Sequence, residues 1–151
     1  MSDRIEKSIE ISAPVSRVWK ALTDYREFSI WFRVKLEAPF EPGKVATGNI
    51  TYPGYEHLRF DATVQRMEPE RYFSLTWHPY PMDPGIDYAS VPSTLVEFTL
   101  EKTAKGGTLL RVVESGFDRI PASRRAEAYR MNEGGWEEQM KNIATHVGQA
   151  A

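Results

Sequence analysis

Apolar and polar residues alternate along most of the chain, and the alternation falls into segments of strand length. Over 4–11, Ile5, Ile9 and Ile11 share one face while Glu6, Ser8 and Glu10 share the other, which predicts a half-buried strand. Ser12-Ala13-Pro14 then opens a short helix, with Pro14 at its first position, where a missing N–H costs nothing. Val15, Val18, Trp19 and Leu22 form its apolar stripe. Asp24 is placed to cap a second short helix carrying Phe28, with Trp31 and Phe32 just beyond it. After a turn at 39–43, strands are predicted over 46–52, 57–67, 71–78, 93–102 and 108–115. Their inward residues are Leu58, Phe60, Ala62 and Val64, then Phe73, Leu75 and Trp77, then Val96, Phe98 and Leu100, and finally Leu110 and Val112. Glu68-Pro69-Glu70 and Lys105-Gly106-Gly107 read as tight turns, and Pro79, Pro81, Pro84 and Pro92 stiffen a loop before the 93–102 strand. From Pro121 the period changes to that of a helix, with Tyr129, Trp136, Met140, Ile143 and Val147 at three- and four-residue steps.

A strand, two short helices, a run of antiparallel strands and a terminal helix make an α+β domain over 1–151. One face of the curved sheet is apolar and needs a cover, and the terminal helix is the element long enough to provide it. Large aromatics from both layers leave room for a cavity between them. Within that helix, Gly134 and Gly135 are adjacent, and each costs about 1 kcal/mol relative to alanine in a helix interior. Two explanations stand open: something packs closely on the trimmed helix surface, or the glycines let the helix move as a lid.

Composition narrows the function classes. The 151 residues are 41% hydrophobic and 26% charged, as in ordinary globular proteins. A net charge of -2 gives no electrostatic footprint for nucleic acid or an anionic membrane. With no cysteine there is no disulfide, thiolate metal site or cysteine nucleophile, which is compatible with a reducing cytosol. No stretch has membrane-spanning length and the N-terminus has no apolar signal core, so a cytoplasmic location without membrane insertion is expected.

Several segments, in order along nearly the whole chain, carry a family resemblance. They are Ile9-Glu10-Ile11-Ser12-Ala13-Pro14 leading to Val18-Trp19, and Trp31-Phe32 before Phe40-Glu41-Pro42-Gly43. Thr76-Trp77-His78-Pro79, Thr94-Leu95-Val96-Glu97-Phe98, Glu114-Ser115-Gly116-Phe117 and the run 132–136 follow. Together they resemble the SRPBCC (START-like) superfamily, in its bacterial single-domain branch related to the C-terminal domain of the heat-shock-protein-90 ATPase activator. The resemblance implies a helix-grip fold: a curved antiparallel sheet wrapped around a long C-terminal helix, with two short helices after the first strand. It also implies a hydrophobic ligand cavity under that helix. The superfamily spans carriers, cyclases, oxygenase subunits and co-chaperone domains, so fold alone does not select a function.

The expected ligand-binding set is Trp31, Phe60, Phe73, Leu75, Trp77, Val96, Phe98, Leu110, Val112, Tyr129, Asn132, Trp136 and Met140, against the plainer reading of a packed core. Tyr129 and Trp136 carry polar tips that orient an oxygen-bearing ligand or find a protein partner. Asn132 bonds a ligand, caps a kink beside the glycines, or bonds a neighbouring strand. Glu114 shares the inward face of its strand, as a buried base or as the partner of water or of an arginine such as Arg66. His78 is the second acid–base candidate. His78, Asp83 and Asp87 lie together in sequence but match no common metal motif, so neither metal nor cofactor is expected. The leading function is binding of a small hydrophobic or amphipathic molecule, as carrier or sensor. A cyclase- or dehydratase-like enzyme using the same cavity and a chaperone-ATPase cofactor module are the alternatives; no protein partner is named by the sequence.

Overall fold

The inward faces of the alternating segments meet in a seven-stranded antiparallel sheet in the computed structural model, which describes residues 4–78 and 92–150. In chain order the elements are β1 (Arg4–Ile11), α1 (Val15–Thr23), α2 (Tyr25–Phe32), β2 (Val34–Leu36), β3 (Val45–Ile50), β4 (Arg59–Glu68), β5 (Tyr72–Trp77), β6 (Thr94–Lys102), β7 (Thr108–Ser115) and α3 (Ala122–Ala150). The sheet order is β1-β7-β6-β5-β4-β3-β2. β1 is drawn from the start of the chain to pair with β7, from Arg4 opposite Ser115 to Ile11 opposite Thr108. The long terminal helix α3 packs against β1, α1 and α2. This is the α+β helix-grip arrangement expected from the sequence.

Alternation is kept most strictly in β6 and β7, where Thr94, Val96, Phe98 and Leu100, and Thr108, Leu110, Val112 and Glu114, are all buried. In β4 it fails at a bulge between Val64 and Arg66. The extra residue turns the Arg66 side chain outward, over the Tyr72 ring and into an ion pair with Glu68. β2 was not anticipated, because three residues are too few to show a period. Its pairing with β3 needs Gly48: a Cβ there would lie 2.3 Å from the Lys35 carbonyl oxygen. Trp31 and Phe32 lie inside α2 rather than beyond it, and Pro14 caps α1 with extended backbone (φ -61°, ψ 154°) instead of starting the helix. Asp24 caps α2 as expected, its Oδ1 accepting from the Arg26 backbone N–H at 2.9 Å.

The two short helices close one end of the sheet around Phe28, whose ring meets those of Trp31 (4.8 Å), Phe32 (4.8 Å), Phe40 (5.1 Å) and Phe60 (6.0 Å). The Trp31 indole N–H, buried with its ring, donates to the Ala21 carbonyl at 2.7 Å and so locks α2 against α1. The helices α1, α2 and α3 are tied at Glu27, whose Oε1 accepts from Arg17 Nη1 of α1 at 2.7 Å and lies 2.9 Å from His146 Nε2 of α3.

That junction predicts an acid-sensitive link. Burial alone would raise the Glu27 carboxyl, but the hydrogen bonds and charges of Arg17 and His146 outweigh it and hold the group below the ordinary value of 4.5. A carboxyl lowered in the folded state contributes stability that is complete above its unfolded value and is lost as pH falls through the folded one. Glu27→Gln is therefore expected to lower unfolding free energy by about 1–3 kcal/mol near neutrality, between the values for exposed and buried pairs. It should also flatten the stability profile below about pH 4.5. Urea unfolding of both proteins across that range tests this, and parallel acid limbs would contradict it.

Candidate functional site

Strict alternation carries Glu114 onto the inward face of β7, and there it is fully buried, with 0% of its surface exposed. Four neutral groups from three elements converge on its carboxylate. Trp77 Nε1, at the end of β5, donates to Oε2 at 2.7 Å, and the Thr94 hydroxyl at the start of β6 bonds the same oxygen. From α3, Trp136 Nε1 donates to Oε1 at 2.8 Å, while Asn132 Nδ2 reaches Oε1 at 2.9 Å and Oε2 at 3.2 Å. Asn132 and Trp136 are four residues apart, so one helical turn presents both to the same acceptor. The indoles can only donate, which makes the set complementary to a carboxylate that only accepts. No lysine or arginine contact is among these bonds, and the arginine expectation fails because the β4 bulge turns Arg66 to the opposite side.

The two indoles held by Glu114 stack on each other, with centroids 5.4 Å apart and planes inclined by 21°. Phe32 lies 6.0 Å from the Trp77 ring and 6.4 Å from that of Trp136. Above this aromatic floor is an open cleft of about 150 Å³, lined by Phe32, Trp77, Asn132, Gly135, Trp136 and Gln139. Gln139 Nε2 donates to the Phe32 carbonyl at 3.2 Å, joining α3 to the end of α2 at the cleft rim. Phe32, Gly135 and Gln139 were not among the expected ligand residues. Their signal was faint: Phe32 followed a helix assigned as ending before it, and Gln139 is one polar residue on a polar helix face.

Of the expected set, Trp77, Asn132 and Trp136 line the cleft. Phe73, Leu75, Val96, Phe98, Leu110, Val112 and Met140 are buried in the core beneath it, and Phe60 packs 5.9 Å from Trp77 as part of the supporting wall. Trp31 is spent on the α1–α2 contact. Tyr129 sits against Phe117 at 5.2 Å, and its hydroxyl donates to the Arg4 carbonyl at 3.0 Å. Asn132 bonds a neighbouring strand through Glu114, from within the helix α3, whose span continues through the glycines. His78 is half-buried just past β5, and burial lowers its pKa, as does the charge of Arg124, against raising contributions from the Pro92 backbone and Asp61. Asp83, Asp87, Pro79, Pro81 and Pro84 lie outside the described residues, so the three-residue metal grouping is not seen. Among the described residues, no group of three or more histidine or acidic side chains is placed to hold a metal ion.

Gly134 and Gly135 lie in unbroken helix, and a Cβ added at either would meet nothing within 4 Å among the described residues. Close packing by another described segment therefore does not account for them. Gly134→Ala should raise unfolding free energy by up to about 1 kcal/mol through helix propensity alone. A urea titration showing destabilisation would mean that a contact outside the described residues fills that space.

Chemically, the arrangement is a preorganised aromatic surface backed by a screened charge. Three of Glu114's partners also line the cleft, so they stand between the carboxylate and anything bound there. To act as a base, Glu114 would first have to release one of them.

The same fold recurs in solved structures. DynU16, a protein of the dynemicin biosynthetic locus, is 26% identical with a TM-score of 0.76 over 99% of this chain, which spans only 49% of DynU16. Protein MLL2253 from Mesorhizobium loti is 25% identical, with a TM-score of 0.77 and 98% of both chains covered. CalU16 from Micromonospora echinospora shares the fold at 22% identity and a TM-score of 0.66, covering 95% of this chain and 75% of its own. No curated protein matches the chain. No helix among the described residues is long and apolar enough to cross a membrane. The model of the family described as activator of Hsp90 ATPase homolog 1-like protein matches residues 12–148, and the chain thus belongs to that family, within the START-like SRPBCC superfamily anticipated from its motifs.

Proposed function

We propose that this protein binds a small hydrophobic or amphipathic molecule in the cleft between α2 and α3, as a carrier or sensor. The observation that carries this reading is the Trp77–Trp136 stack, anchored from behind by Glu114 and bordering the cleft, with Trp77 half-buried and Trp136 buried beneath it. Anchoring fixes the rings before binding, so little ordering cost remains when an apolar body covers them. The volume of about 150 Å³ fits part of a ligand, such as one ring or a short chain, with the rest extending outward.

Gly135 supplies the test. A Cβ there meets no described neighbour within 4 Å and leucine is the better helix former, so Gly135→Leu should keep the fold while its side chain extends into the cleft that Gly135 lines. Native mass spectrometry of protein from its own host identifies co-purified molecules, and tryptophan fluorescence then follows their binding. Loss of binding in Gly135→Leu with unfolding unchanged supports the cleft. Equal binding by both proteins places the ligand elsewhere. Lid motion is a separate matter: the Gly134→Ala, Gly135→Ala double variant should slow ligand exchange if the glycines let α3 flex.

The likeness to DynU16, a protein of a biosynthetic locus, favours a second reading in which a small molecule is chemically altered in the same cleft. Glu114 or His78 would then act as acid or base, and product formation from a bound compound is its measurement.

A further inference from the structure

The described residues that line the cleft are all neutral, so none of them supplies a counter-charge to the carboxylate behind the aromatic floor. Glu114 is fully buried, and each of its described hydrogen-bond partners is neutral. Spreading a carboxylate's charge over two indole N–H groups pushes electron density into those rings, and the ring faces are where an aromatic side chain attracts cations. The polar capacity left at the rim points the same way. The indole N–H groups and the Asn132 amide N–H₂ are directed at Glu114, which leaves the Asn132 side-chain carbonyl oxygen, an acceptor, outside that set of bonds. Gln139 uses its N–H₂ on the Phe32 carbonyl and accepts from Asn142 Nδ2 at 3.0 Å. The rim therefore offers acceptors to a ligand and has its donors engaged. Along the helix segment that borders the cleft, 132–139, the charged residues are Glu133, Glu137 and Glu138, with no lysine or arginine. Arg33, next to Phe32, holds its guanidinium over the Tyr52 ring at 5.2 Å.

From this complementarity we infer that the cleft selects organic cations, with a substituted ammonium head on the half-buried Trp77 and Phe32 rings over Trp136 and an apolar body extending outward. The inference rests on the cleft being the binding site and narrows the ligand class from amphipathic to cationic. Glu114 acts as the selectivity residue through the two indoles it polarises, without touching the ligand. A neutral ligand of the same shape gains the apolar burial but not the attraction. An anion meets the buried charge as repulsion.

A matched pair of probes separates the two ideas. Meta-hydroxyphenyl-trimethylammonium and its uncharged isostere meta-tert-butylphenol are titrated into the full chain, with the indole N–H resonances of Trp77 and Trp136 as readout. The cation is expected to bind roughly tenfold more tightly than the isostere. The preference should collapse toward parity in Glu114→Gln, provided that variant retains the parent's amide spectrum. If Glu114→Gln does not fold, the ratio for the unaltered protein decides by itself. Equal binding, or tighter binding of the phenol, overturns cation selectivity and leaves the cleft as the site. A cation preference that persists in folded Glu114→Gln overturns the role assigned to Glu114. Absence of binding by both probes removes the cation inference, and the binding of host-derived molecules in the Gly135→Leu comparison then decides the cleft reading separately.

Discussion

Replacing Glu114 by alanine lowers the unfolding free energy by about 3–5 kcal/mol, because several buried donors lose their acceptor at about 1–3 kcal/mol each and the stem leaves a cavity. The side chain removed is apolar along its stem, and losing that packing is the smaller part of the effect. The larger part is what remains: two indole N–H groups, a hydroxyl and an amide, all turned toward an acceptor that is gone. A buried donor left unsatisfied costs about 1–3 kcal/mol, and water entering through the nearby cleft recovers part of that. Glu114→Gln is expected to be milder, because one oxygen still accepts while the new N–H₂ faces donors. Urea unfolding, followed by circular dichroism to avoid the altered tryptophan signal, measures both. An effect below about 1 kcal/mol in Glu114→Ala would mean that the donors are satisfied elsewhere and that the carboxylate is not the organising centre.

Trp136→Ala is expected to cost about 3–5 kcal/mol as well, by a different route. The ring is 3% exposed, stacks on Trp77 at 5.4 Å and meets Phe98 edge-on at 5.6 Å. Removing it opens a cavity between α3 and the sheet and frees one face of Trp77, so that binding to the cleft should be lost along with stability. Trp136→Phe keeps one aromatic ring and removes the other together with the N–H to Glu114, so it should cost less than Trp136→Ala, with the lost hydrogen bond contributing about 1–2 kcal/mol. Because Trp136 and Glu114 share that bond, the Glu114→Ala, Trp136→Ala double variant should be less destabilised than the sum of the singles. Strict additivity in a double-mutant cycle would show that the two residues act independently.

These expectations depend on a site of which the sequence revealed some parts and concealed others. The inward placement of Glu114 followed from counting by two from Leu110 and Val112, because a strand's side chains alternate without exception in the absence of a bulge. Its partners did not follow. Arg66 is also an even number of residues from Phe60, yet the bulge in β4 removes it, and nothing in the local sequence announces that bulge. Asn132 and Trp136 were legible as neighbours on one face of α3, since helical spacing is local. That they meet Glu114 depends on where α3 lies over the sheet, which its contacts with β1, α1 and α2 decide. Phe32 illustrates the limit at an element boundary: whether α2 stops before or after it changes the direction of its ring, and propensity does not resolve one residue.

The glycines show the same division. Their helix and their energetic penalty were evident from the sequence, but only the structure shows that no described neighbour needs the space and that Gly135 borders a cleft. By itself, then, the sequence determined the elements, the face each one buries and the α+β class, because these depend on hydrophobic period and on residues a few positions apart. The tertiary structure alone decided that four neutral donors from distant segments enclose one carboxylate and that an aromatic cleft opens in front of it. Such an arrangement depends on helix placement and strand register across the whole sheet, and its energy arises from burial that no isolated segment experiences.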